Sequence, residues 1–151
     1  MPPLGTVVLV VEDDSNDRTL LNHAFRKGAG HVDLRFVKDA YEAEDYLLGR
    51  GEQSDRGAYP LPDLLLIDLK LPRRSGMDLL AWLKEQPSLG KIPAVVLSSS
   101  LEERDIERAY ALGARSYLAK SVELRELIQV AEGLGIYVKM LHRSLEPLKP
   151  R

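Results

Sequence analysis

Leu64-Leu65-Leu66-Ile67-Asp68 decides how this chain folds. Four apolar residues without alternation suit a strand covered on both faces, because a half-exposed strand carries a polar residue at every second position. The aspartate that follows stands where burial without a partner is costly, so a strand end with a chemical role is expected there. Val7-Val8-Leu9-Val10-Val11 and Ala94-Val95-Val96-Leu97 repeat the pattern, and shorter runs lie at Leu34–Val37 and Ser116–Leu118. Each run precedes a longer segment of helical periodicity. This (βα)5 rhythm predicts an α/β fold with a parallel sheet between two layers of helices.

Leu20, Leu21, Ala24 and Phe25 form one apolar stripe, which predicts a first helix from about Asn16 to Lys27 with Gly28 as its C-cap. A second helix near Ala40–Leu48 must end before GRGEQSDRGAYPLP, residues 49–62, a long surface loop punctuated by glycine and proline. Ser100 and Glu103 have the spacing of a capping box for a fourth helix. Ser121 is the expected N-cap of a fifth helix carrying Leu124, Leu127, Ile128, Ala131 and Leu134. Gly133 and Gly135 weaken that helix, yet Ile136, Tyr137, Met140, Leu141 and Leu145 remain apolar up to Pro147. The expectation is one domain over residues 1–151, with a core over about 6–134 and a C-terminal arm over about 135–151. The arm needs cover, from its own domain or from a second copy.

A hydrophobic share of 44% with 29% charged residues describes a folded globular chain. Its 21 basic and 23 acidic side chains leave a net charge of −2, which provides no field for nucleic acid or a membrane surface. The lack of cysteine removes disulfides, thiolate metal sites and thiol nucleophiles, and His23, His31 and His142 have no ligand spacing. The run Val7–Val11 is too short for a signal core or a membrane span, so a cytoplasmic location is expected.

Open α/β sheets gather function at the carboxyl ends of their strands. The expected first strand ends at Glu12-Asp13-Asp14, the third at Asp68, the fourth at Ser98-Ser99-Ser100 and the fifth at Lys120. Converging carboxylates repel unless a cation neutralises them, and such oxygen-rich sites suit hydrated Mg²⁺. An aspartate beside that ion is a competent nucleophile toward phosphorus, with Lys120 and Ser98 supplying charge and a hydrogen bond. Taken singly, Glu12, Asp13 and Asp14 are better explained by a helix dipole than by chemistry, and solvent exposure for Lys120 and a turn for the serines explain those residues at least as well. Their conjunction at four strand ends favours chemistry.

VVEDD, LLLIDLKLPRRSG, AVVLSSS and SYLAKS, in that order, resemble the receiver domains of response regulators, and the likeness runs from Thr6 to about Leu134. The resemblance implies a flavodoxin-like doubly wound sheet of strand order 2-1-3-4-5 and phosphorylation on Asp68. It implies Glu12 and Asp13 as the acidic pair, with Mg²⁺ also held by Asp68 and the backbone carbonyl of Lys70. It further implies Ser98 as the switch hydroxyl, Tyr117 as the switch aromatic, and Lys120 as the amine that pairs with the phosphoryl group. Asp14 is expected to be a helix-start residue. Ser121 stands where the family usually has proline, often after a cis peptide. A cis bond before a non-proline residue costs roughly 2.5–4 kcal/mol, so the conformation of the Lys120–Ser121 bond, and with it the shape of the loop that places Lys120, stays open in the sequence.

The long loop and the apolar arm resemble the small response regulators of phytochrome-type histidine kinases. That likeness implies a histidine kinase partner of the bacteriophytochrome kind and a symmetric homodimer. An FMN binder is disfavoured because Glu12-Asp13-Asp14 would repel its phosphate, and the glycines of Rossmann and P-loop enzymes are missing. A haloacid-dehalogenase-type phosphotransferase needs a second aspartate where this chain has Lys70. The remaining alternative is a receiver-like adaptor that binds partners without phosphorylation.

Overall fold

The computed structural model describes residues 6–143. The strands are β1 (Thr6–Val11), β2 (Val32–Val37), β3 (Leu64–Ile67), β4 (Ala94–Ser98) and β5 (Ser116–Ala119). The helices are α1 (Ser15–Gly28), α2 (Ala40–Leu48), α3 (Gly76–Lys84), α4 (Glu103–Ala111) and α5 (Leu124–Arg143). All strand pairs are parallel and the order is β2-β1-β3-β4-β5, the flavodoxin-like arrangement expected from the sequence.

The continuous apolar runs divide their side chains between two cores, because successive strand residues point to opposite faces. Leu9, Val11, Leu65, Ile67 and Val96 pack with residues of α2, α3 and α4, including Leu47, Leu80 and Ala109. Val8, Val10, Leu64, Leu66, Val95 and Leu97 pack on the other face with residues of α1 and α5, among them Phe25, Leu127 and Val138. With both faces covered, β1, β3 and β4 have no place for a polar residue until their ends.

Several helix boundaries differ from expectation. Gly28 is the last residue of α1, not its cap, and a Cβ there would lie 2.7 Å from the Ile128 carbonyl oxygen of α5. Asp14 is the N-cap of α1, accepting from the backbone N–H groups of Asn16 and Asp17. Ser100 and Glu103 form no capping box, because α4 starts at Glu103; the Ser100 hydroxyl instead donates to Asp105 Oδ2 at 2.6 Å. The capping box lies at α3, where Ser75 and Asp78 exchange side-chain-to-backbone bonds. Ser121 closes a turn onto the Glu123 N–H, and α5 begins only at Leu124.

The loop after α2 is pinned at its base. Arg56 donates to the carbonyls of Tyr46 and Leu47, both at 2.8 Å, and so satisfies acceptors at the end of the helix. The Tyr46 hydroxyl donates to Pro60 O.

α5 runs through Gly133 and Gly135 without a break to Arg143. Leu134 and Val138 are buried in the core, whereas Ile136 and Met140 are 61% and 63% exposed. The expected arm is thus, to residue 143, the outer turns of a helix with one face covered by its own domain. Leu145, Pro147 and the rest of the arm lie outside the described residues. The two glycines have opposite settings: a Cβ on Gly135 would meet Ala29 Cβ at 2.8 Å, and one on Gly133 meets nothing within 4 Å. Gly133→Ala should therefore stabilise the protein by up to about 1 kcal/mol through helix propensity. Gly135→Ala should destabilise it by roughly 1–3 kcal/mol through overpacking. Urea unfolding of the two variants checks both signs.

Candidate phosphoacceptor site

Parallel order brings the carboxyl ends of neighbouring β1 and β3, and of β5 one strand further on, to the same end of the sheet, and their first residues beyond it form one charged cluster. Glu12 follows β1, Asp68 follows β3 and Lys120 follows β5. Lys120 Nζ lies 2.5 Å from Glu12 Oε1 and 2.9 Å from Asp68 Oδ2. Carboxylate oxygens of Glu12, Asp13 and Asp68 lie within 4.8 Å of one another, with Asp13 exposed and the other two buried. Hard oxygen donors gathered beside solvent on one exposed carboxylate fit a divalent ion that keeps part of its water, such as Mg²⁺ or Mn²⁺.

Local structure fixes each carboxylate. The Asp68 N–H donates to Val11 O at 3.2 Å, and the Lys70 N–H donates to Asp68 Oδ1 at 3.1 Å. The backbone of Lys70 is thus folded back against the carboxylate. Gly76 makes this fold possible, since a Cβ there would lie 2.3 Å from the Asp68 carbonyl oxygen. Arg73 completes the loop at φ 68°, with its guanidinium bonded to Asp39, the N-cap of α2. Arg73 and Arg74 both lie over the Tyr41 ring, at 5.1 and 5.0 Å from its centroid.

Charge in the cluster is uneven. Burial, reinforced by Asp68, pushes the Glu12 carboxyl up to about 7 despite the hydrogen bond from Lys120. Burial also works against the Lys120 charge, but hydrogen bonds to Asp17, Glu12 and Asp68 outweigh it and raise its pKa above the usual lysine range. One cation among several carboxylates stays protonated, while the most deeply buried acid resists ionisation.

Ser98 and Tyr117 stand apart from this cluster. Ser98, fully buried at the end of β4, accepts the Ser100 N–H on its Oγ at 3.1 Å. The Tyr117 hydroxyl donates to Ser100 O at 2.8 Å, and its ring packs partly buried on the α2–α4 side of the core. Both residues therefore meet at the β4–α4 turn. The described residues contain no cis peptide, so the Lys120–Ser121 bond is trans. The Lys120 N–H donates to Ser98 O and continues the β4–β5 ladder into the site.

Sequence reading missed two participants. Asp17, in the first turn of α1, lies 2.7 Å from Lys120 Nζ. Arg18 donates to the carbonyls of Glu12 and Asp13, both at 3.0 Å, and so fixes the turn that carries the acidic pair. The available signal was position: both residues fall one helical turn beyond Glu12-Asp13, above the strand ends.

The family model for the response regulator receiver domain matches residues 8–132. Response regulator Rcp1 of Synechocystis is 34% identical over 128 residues, spanning 85% of each chain. The crystal structure of its Mn²⁺-bound form covers 95% of this chain and 99% of its own, with a TM-score of 0.77 and 32% identity. The phosphorylated cyanobacterial phytochrome response regulator RcpA superimposes with a TM-score of 0.81 at 34% identity, over 95% of this chain and 99% of its own. Response regulator RPA3017, from red light signalling in R. palustris, gives 0.80 at 32% identity over 85% and 90%. Fold, strand-end chemistry and likeness across most of the length agree, and the chain belongs to the receiver domain family of two-component response regulators.

Proposed function

We propose that this receiver accepts a phosphoryl group from a histidine kinase on Asp68 in a Mg²⁺-dependent reaction. The observation that carries the reading is Lys120 Nζ at 2.9 Å from Asp68 Oδ2, beside the Glu12-Asp13-Asp68 cluster. Glu12, Asp13, Asp68 and the carbonyl of Lys70 would hold the ion, whose charge offsets that of the transferring phosphoryl oxygens. Lys120 supplies a second cation for those oxygens. Ser98 and Tyr117 form the switch: the hydroxyl bonds the new phosphoryl oxygen, and the ring leaves Ser100 for the vacated space. The β4–α4 turn they share makes α4 and β5 the surface that changes.

The likeness to phytochrome response regulators supports a phytochrome-type histidine kinase as donor, in the cytoplasm, the usual location of receiver proteins. A homodimer is supported by exposed Ile136 and Met140 and by an apolar groove of about 690 Å³ between edge strand β5 and α5, lined by Leu118, Val130, Leu134 and Tyr137.

Incubation with acetyl phosphate and Mg²⁺, followed by intact-mass measurement, should show one labile phosphoryl adduct on the wild type and none on Asp68→Asn. A folded wild type that stays unmodified favours the adaptor reading. Because Glu12 holds its proton until about pH 7, Mg²⁺ must displace that proton, and affinity rises with pH. Between pH 8 and pH 6 the ionised fraction falls about tenfold, and calorimetry should show Mg²⁺ binding weaken by about that factor. Glu12→Gln should flatten the dependence. Truncation after Leu134 would strip Val138 from the core, so self-association is better tested with Ile136→Lys combined with Met140→Lys. Sedimentation should report a lower mass for the double variant than for wild type; equal masses would refute dimerisation through α5.

A further inference from the structure

Lys120 binds three carboxylates, and one of them has no place in the proposed acceptor chemistry. Glu12, Asp17 and Asp68 lie at 2.5, 2.7 and 2.9 Å from Nζ. An ammonium has three N–H donors, so these contacts occupy all of them. Glu12 and Asp68 also belong to the carboxylates that can converge on an ion, whereas Asp17 does not. The position of Asp17 is fixed independently, by its backbone N–H donating to Asp14 Oδ1 at 3.0 Å within the α1 cap. Glu12 and Asp68 thus have a second role to which they can turn. Asp17 has only Lys120 among its side-chain partners in the described residues.

We propose that Asp17 is a positioning residue, the resident counter-ion of Lys120, and that it weakens the ammonium's hold on an anionic group attached to Asp68. The inference rests on the phosphoacceptor reading above. In acceptance, a bond forms between an Asp68 carboxylate oxygen and phosphorus as the P–N bond of the phosphohistidine donor breaks. In loss, a water oxygen bonds to phosphorus, the bond to Asp68 breaks, and the water proton leaves with phosphate or solvent. While the adduct exists, its oxygens need the N–H that Asp68 gives up. A fixed carboxylate on the same ammonium offsets part of that cation and adds a like charge beside the adduct. Lys120 is 16% and Asp17 27% exposed in their side chains, so solvent screens the interaction only in part.

Beryllofluoride, which bonds to a carboxylate oxygen as a tetrahedral mimic of the phosphoryl group, separates this role from a merely structural one. Its affinity for the full chain is read by ¹⁹F NMR at saturating Mg²⁺. Asp17→Asn should bind about three- to tenfold more tightly than wild type. Asp17→Glu, which restores the charge, should stay near wild type. Equal or weaker binding by Asp17→Asn, or tightening by Asp17→Glu as large as that of Asp17→Asn, would overturn the proposal while leaving the acceptor reading intact. A wild type with neither bound fluoride nor an acetyl phosphate adduct would overturn the acceptor reading, and this inference with it.

Discussion

Among the described residues, Lys120 is the one cation paired with both Glu12 and Asp68, which sit buried at adjacent strand ends. Two carboxylates desolvated this close repel strongly; even beside the ammonium Glu12 is pushed up to about 7, and without it that acid would hold its proton more firmly still. The ammonium comes from the far edge strand, so the charge balance of the site also fixes where β5 must end. The backbone does the same through the Lys120 N–H bonded to Ser98 O. Chemistry and sheet closure are therefore one constraint, satisfied by a single residue.

Strand assignment was legible because burial on both faces writes itself into the chain as unbroken apolar runs. Leu64–Ile67 and Val7–Val11 admit no other comfortable reading, and strand order followed from the family likeness. Asp68, Glu12, Asp13 and Lys120 were legible for a related reason: Glu12, Asp68 and Lys120 are the first charged residues after their strands, and Asp13 follows Glu12 directly. Asp17 was not, because its partner lies at the other end of the chain and nothing local separates it from an acid that merely favours a helix start.

Caps and glycines were the least legible features. Ser100 and Glu103 have the right spacing, but spacing cannot tell where a helix begins, and two residues' displacement hands the hydroxyl to Asp105. Gly135 looks like a helix breaker in sequence and is a close-packing residue in the fold, where α5 passes Ala29 and His31. Propensity speaks to an isolated helix, whereas these residues answer to a neighbour. The same limit hid Arg56, whose value lies in helix carbonyls that only the folded loop brings within reach.

The Arg56 pin has a consequence for engineering. It ties the 49–62 loop to the end of α2 at the opposite end of the strands from Asp68, separated by the length of β3, roughly 13 Å for four residues. The short turn at Gly51–Ser54 bulges out between the two ends of that tie and has no buried residue. A peptide epitope or a second domain spliced into that turn would hang from the underside of the molecule, leaving the acidic rim and its lysine open to a kinase.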